Sequence, residues 1–153
     1  MSPKLNCIML TDDDEPTNFL SSMIIEEADC TEHIQIEDSS ERAVDYLINS
    51  KKSGYEDKAC PWPDLILLDI NMPAMDGWEF LDKYKELEKE GENKVIIVML
   101  TTSLNPDDKI RATGIPRVTD FKHKPLTAEI LNEILDTYFA GNVSKTANSI
   151  ISS

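Results

Sequence analysis

Leu65-Ile66-Leu67-Leu68-Asp69 is the stretch that decides how this chain folds. Four consecutive apolar residues closed by a carboxylate read as a strand buried on both faces, the pattern of a parallel sheet. Three further runs repeat it. Ile8-Met9-Leu10-Thr11 leads into Asp12-Asp13, Val95 to Leu100 leads into Thr101-Thr102, and Val118 to Phe121 leads past Lys122 and His123 to Lys124-Pro125. In an open α/β sheet, ligands bind beyond the carboxyl ends of the strands. Asp12, Asp13, Asp69, Thr101 and Lys124 therefore converge on one pocket. Clustered carboxylates repel one another unless a cation joins them, so this pocket calls for a divalent metal.

The segments between these runs have helical character. Strand one is expected over 6–11 and a helix over 16–28, where Phe19, Leu20, Met23, Ile24 and Ile25 form a stripe at helical spacing. Pro16 suits its first turn and Glu15 its positive end. Residues 33–37 alternate as a second strand, and Ser39 or Ser40 caps a second helix through Leu47 and Ile48. Residues 49–63 read as an extended polar loop inserted before strand three at 64–70. A helix follows over 78–90, then strand four at 95–100, a short helix at 106–114, strand five at 118–121 and a last helix at 127–139 with Thr127 as its cap. Strand and helix alternate five times, which predicts an α/β, doubly wound, five-stranded parallel sheet covered on both faces. Strand order 2-1-3-4-5 puts strands one and three side by side at the switch point, making Asp12, Asp13 and Asp69 neighbours.

At 153 residues with 41% hydrophobic content, the chain suits one domain with a core of its own. We expect this domain over 1–140, with 141–153 a short, frayed tail. The net charge of −14 argues against nucleic acid and anionic membranes as direct partners. Cys7, Cys30 and Cys60 show no paired metal spacing and fit a reducing, cytoplasmic setting. No signal peptide is evident, and no apolar run approaches the ~20 residues a membrane helix needs.

The chemistry of the pocket suits a hard cation with oxygen ligands, most simply Mg²⁺, which keeps open positions for a phosphoryl oxygen. Lys124 offers a point charge to the same phosphate and Thr101 a hydroxyl. A carboxylate beside a Lewis acid and a lysine is a competent nucleophile toward a phosphoryl donor, giving an aspartyl phosphate.

Asp12-Asp13, Asp69-Ile70-Asn71-Met72-Pro73 with Asp76-Gly77, Leu100-Thr101 and Lys124-Pro125 together resemble the receiver domain of two-component response regulators, over most of the chain. The resemblance implies a flavodoxin-like (CheY-like) three-layer sandwich. It implies that Asp69 is the phosphoacceptor, that Asp13 and Asp69 bind Mg²⁺ directly, that Asp12 does so through water, and that Asn71 gives a backbone carbonyl. Thr101 and Lys124 would take the phosphoryl oxygens, and Pro125 would follow a cis peptide bond. It also implies a switch in which the threonine moves toward the phosphate, Phe121 turns inward, and the face of the fourth helix, fifth strand and fifth helix changes its affinity for a partner. A histidine kinase or histidine phosphotransfer protein would donate, and an unspecified protein would receive the output. The module would be a single-domain signalling protein rather than an enzyme.

Some positions depart from the family pattern. Thr11 replaces the usual aliphatic residue, and Thr102 follows Thr101 where a small residue is usual, so Thr102 is a second candidate for the phosphate-binding switch hydroxyl. The competing reading is a Mg²⁺-dependent phosphatase of the haloacid-dehalogenase type with Asp12 or Asp13 as nucleophile, but the required Asp-x-Asp-x-Thr is incomplete. A flavodoxin-type cofactor carrier is rejected, since Asp12-Asp13-Asp14 would repel its phosphate.

Overall fold

Alternate residues of the central strands enter two separate cores. Met9, Ile66, Leu68, Ile97 and Met99 pack into one, while Ile8, Leu10, Leu65, Leu67, Val98 and Leu100 pack into the other. A period of two with apolar residues on both phases leaves no wet face, so helices must cover each side. The computed structural model describes residues 4–52, 60–69, 77–87, 95–101, 107, 110, 111, 114 and 118–139. Its strands are β1 (Ile8–Thr11), β2 (Ile34–Glu37), β3 (Leu65–Asp69), β4 (Ile96–Thr101) and β5 (Asp120–His123). They form one parallel sheet in the order β2-β1-β3-β4-β5. The helices are α1 (Glu15–Ala28), α2 (Ser40–Lys52), α3 (Gly77–Leu87) and α4 (Ala128–Tyr138), the last being the fifth predicted helix. The short helix expected at 106–114 falls mostly outside the described residues, although Asp107, Ile110 and Arg111 are helical.

Helices α2 and α3 cover the first core. Ala43, Tyr46, Leu47 and Ser50 are the buried side of α2, at helical spacing. On α3, Phe80 and Tyr84 stack one turn apart with ring centroids at 6.3 Å. The second core receives Ile25 of α1 and Leu131 and Ile134 of α4. Three layers result, with the carboxyl ends of all five strands on one edge.

Three expectations need correction. Only the C-terminal part of the apolar stripe of α1 faces the core: Ile25 is buried and Ile24 packs beside it, whereas Phe19 is 62% and Leu20 59% exposed and Met23 is also open. Toward its start the buried residues are polar, Asn18 and Ser21, because the first turns lie against the acidic end of β1. Strand five begins two residues later than its apolar pattern indicated. Pairing runs from Asp120 opposite Val98 to His123 opposite Thr101. An edge strand accepts such charged residues when they are satisfied, and here Tyr138 donates to Asp120 (2.9 Å) and Lys122 to Glu133 (2.6 Å). Finally, part of the expected 49–63 loop is helical, since α2 continues to Lys52, and Trp62 is buried in the first core. Residues 53–59 and the 141–153 tail lie outside the described residues.

The caps explain where helices start. Asp14 is the N-cap of α1, its carboxylate accepting from the Thr17 amide at 3.0 Å. Ser39 rather than Ser40 caps α2, with Oγ accepting from the Arg42 amide at 3.1 Å. Thr127 caps α4 by accepting from the Ile130 amide, also at 3.1 Å.

Candidate functional site

Thr11 pairs with Leu68 across β1 and β3, so the next residue on each strand, Asp12 and Asp69, comes out side by side at the sheet edge. Both are buried, whereas Asp13 is exposed. Carboxylate oxygens of Asp12, Asp13 and Asp69 all lie within 4.8 Å of one another. Oxygen-only donors at that spacing match the ligand preference of Mg²⁺ or a similar hard cation, so the residues present fit such an ion.

Thr101 ends β4, fully buried, and its carbonyl accepts from the Lys124 amide at 2.8 Å. That bond carries the chain beyond β5 toward the carboxylates. Lys124 Nζ reaches Asp12 Oδ2 at 2.5 Å and Asp69 Oδ1 at 3.1 Å, and the Lys124–Pro125 peptide is cis. Burial pushes the Lys124 ammonium downward, but the hydrogen bond and charge of Asp12, followed by Asp69, outweigh it and the net direction is up. The lysine is therefore charged throughout the neutral range.

The loop carrying the acids is tied down at several points. The Asp12 amide donates to the Glu37 carbonyl at 3.2 Å, and Asp12 Oδ1 accepts from the Asp14 amide at 2.9 Å. Asn18 Nδ2 donates to the Asp12 carbonyl at 2.8 Å from a buried position on α1. Sequence reasoning passed over Asn18 and the Asp14 cap. The available signal was a helix whose strongest apolar stripe starts beside the acidic loop, leaving its opposite, polar side to meet that loop. Phe121 is partly buried against the first core. His33 bonds to Gln35 at 2.8 Å, and His123 is exposed, so neither histidine joins the site. Trp78 is buried on the first turn of α3 with the Arg111 guanidinium 4.3 Å from its ring centroid. Asn71 and Thr102, both expected at the site, lie outside the described residues.

The profile of the response regulator receiver domain matches residues 8–136. The chain belongs to that family. The receiver is similar to a two-component response regulator of Cytophaga hutchinsonii, at 35% identity over 88% of this chain and 96% of that one, with a TM-score of 0.76. It is similar to a CheY-like receiver domain protein of Methanospirillum hungatei, at 32% identity, 92% and 98% coverage and a TM-score of 0.65. Among curated proteins, the histidine-protein kinase BarA of Escherichia coli matches at 29% identity over 91% of this chain, and the match spans 14% of that kinase. A two-component response regulator of Arabidopsis thaliana matches at 29% over 89% of this chain and 72% of its own length. The receiver is thus a signalling domain of the two-component class, a family that generally binds Mg²⁺, and its acidic cluster could hold that metal. The haloacid-dehalogenase alternative finds no support. Among the described residues, no helix is long and apolar enough to cross a membrane.

Proposed function

We propose that this receiver accepts a phosphoryl group on Asp69 from a phosphohistidine of a histidine kinase or phosphotransfer protein. The observation that carries the proposal is Lys124 reaching both Asp12 and Asp69, with Asp13 alongside. In the transfer, an Asp69 oxygen attacks phosphorus, the P–N bond breaks, and the imidazole nitrogen leaves with the electron pair and takes up a proton. Asp13 and Asp69 would hold Mg²⁺ directly, with Asp12 through water and the backbone carbonyl of Asn71 completing the protein ligands. Bound there, the ion supplies Lewis acidity to the phosphoryl oxygens. Lys124 exchanges its carboxylate partners for a phosphoryl oxygen, which its retained charge allows. The Thr101 hydroxyl takes another oxygen, with Thr102 as the alternative, and Phe121 follows inward. The surface of the 106–114 segment, β5 and α4 then changes its affinity for an output protein.

The donor is a protein rather than only a small phosphate ester. Exposed Phe19, Leu20 and Met23 support this by offering apolar area on α1, the helix that starts at the acidic loop. We assign the receiver unit to residues 1–140, with 141–153 outside it, acting as a non-enzymatic signalling module in the cytoplasm. The test is intact mass after incubation with acetyl phosphate, with and without Mg²⁺, on wild type and Asp69→Asn. One phosphoryl adduct that requires both Mg²⁺ and Asp69 is expected. An adduct that persists in Asp69→Asn would overturn the assignment.

A further inference from the structure

Asn18 spends its side chain on a single main-chain atom. Its amide is buried on α1 and donates to the Asp12 carbonyl at 2.8 Å, while its own backbone N–H closes the first turn onto Asp14 at 3.1 Å. A buried amide costs free energy unless hydrogen-bonded, and a leucine of similar shape would fill the same space without that cost. The position therefore suits a donor more than a volume.

The carbonyl it holds lies at the point where β1 gives way to the acidic loop. Asp12 is now fixed at four atoms: its N–H to Glu37, its carbonyl by Asn18, Oδ1 by the Asp14 amide and Oδ2 by Lys124. Asp14 in turn is fixed by Thr17. Asp13 lies between these two clamped residues and is exposed, so packing does not aim its carboxylate. Its direction comes from the flanking peptide planes, one of which includes the carbonyl bound by Asn18.

We infer that Asn18 is a positioning residue of the metal site: it sets the peptide between Asp12 and Asp13 so that both carboxylates converge with Asp69 on a cation. This rests on the Mg²⁺ reading of that cluster. Groups that orient metal ligands from behind typically change metal affinity by about 10–100-fold when removed. The loss should depend on the ion. Mg²⁺ demands near-octahedral geometry, whereas Ca²⁺ accepts irregular and larger coordination spheres. A loosened Asp13 therefore harms Mg²⁺ binding more than Ca²⁺ binding.

The variant to use is Asn18→Leu, which removes the donor and keeps the volume. Truncation to alanine is less informative. A cavity of about 10 Å³ already adjoins Asn18, Asp12, Ser21 and Lys124, so alanine would make room for a water to replace the amide. The experiment is calorimetric titration of the metal-stripped full chain with MgCl₂ and separately with CaCl₂, alongside thermal melting in EDTA. Wild type is expected to bind Mg²⁺, and Asn18→Leu to bind it about tenfold more weakly. Ca²⁺ affinity is expected to fall by a smaller factor, with the melting temperature in EDTA nearly unchanged. Equal losses for the two ions, or unaltered Mg²⁺ affinity, overturns the inference. If Asn18→Leu does not fold, Asn18→Ser keeps a donor on a shorter arm and carries the same comparison of ions. A wild-type chain that binds neither ion is a different result, and it defeats the metal-site reading itself.

Discussion

Lys124 and Asp12 are 112 residues apart in sequence, and their side chains meet at 2.5 Å. With Asp69 at 3.1 Å from the same ammonium, the lysine stands where a cation is needed between two buried carboxylates. Removing it leaves those carboxylates facing each other with no counter-charge from β5. Breaking a buried pair by deleting one partner costs about 3–5 kcal/mol. Lys124→Met is accordingly expected to lose about 3 kcal/mol in EDTA, read from urea unfolding, and much less in saturating Mg²⁺. A deficit of the same size in both conditions would sink this account. Asp69→Asn should have the smaller effect, because Asp12 still engages the lysine.

Metal binding should also stabilise the wild-type fold. A ligand at a hundredfold excess over its Kd adds about 2.7 kcal/mol, which for a domain of this length corresponds to a rise of about 5–10 °C in Tm. Thermal melts with increasing MgCl₂ should show that rise in wild type and lose most of it in Asp13→Asn. An equal rise in the variant would place the ion elsewhere.

Thiol reactivity should separate the cysteines. Cys7 is fully buried, and burial pushes its thiol up to about 12, while Cys30 and Cys60 are only partly covered. Since the thiolate is the reactive species, native protein treated with iodoacetamide at pH 8 is expected to be alkylated at Cys30 and Cys60 before Cys7. Peptide mass spectrometry decides the order, and early labelling of Cys7 would contradict the packing of β1.

Glu37 gives a pH dependence with a defined sign. Burial raises its carboxyl above the ordinary 4.5, and the charges of Asp38 and Asp45 add to this against the opposing Gln35 hydrogen bond and Arg42. A folded-state value above the unfolded one means its stabilising contribution is complete below about 4.5 and is lost as pH rises through the raised value. In EDTA, wild type should therefore lose stability relative to Glu37→Gln between pH 4 and 7. Urea midpoints of the two proteins that stay parallel across that range would refute the assignment.

The α4 cap offers a local check. Thr127→Ala removes the acceptor for the Ile130 amide and is expected to cost about 1 kcal/mol, with Thr127→Ser recovering most of it in the same denaturation assay.

The buried strands were legible because both phases of β1, β3 and β4 are apolar, a pattern only a two-sided sheet produces. Strand order 2-1-3-4-5 then puts Asp12 beside Asp69, since strands one and three flank the switch point. Two things were not legible, for one physical reason. Helix α1 and strand β5 border the polar edge of the sheet, where hydrogen bonds and charge pairs replace apolar burial. Asn18 and Ser21 therefore turn inward while Phe19 and Leu20 face out, and Asp120 and Lys122 occupy a strand that hydrophobic pattern alone begins too early. Asn18 carries no composition signal of its own, because an asparagine in the second turn of a helix reads as solvent-facing until the loop it touches is known.

The placement of Lys124 also makes the pocket a composite of distant segments. The acids sit at the ends of β1 and β3, and their counter-charge is held there by the pairing of β5 with β4 and the turn toward α4. A chain whose edge strand has opened keeps its carboxylates but loses the cation they share. Local opening at that edge would therefore disarm the site while the central strands stay folded.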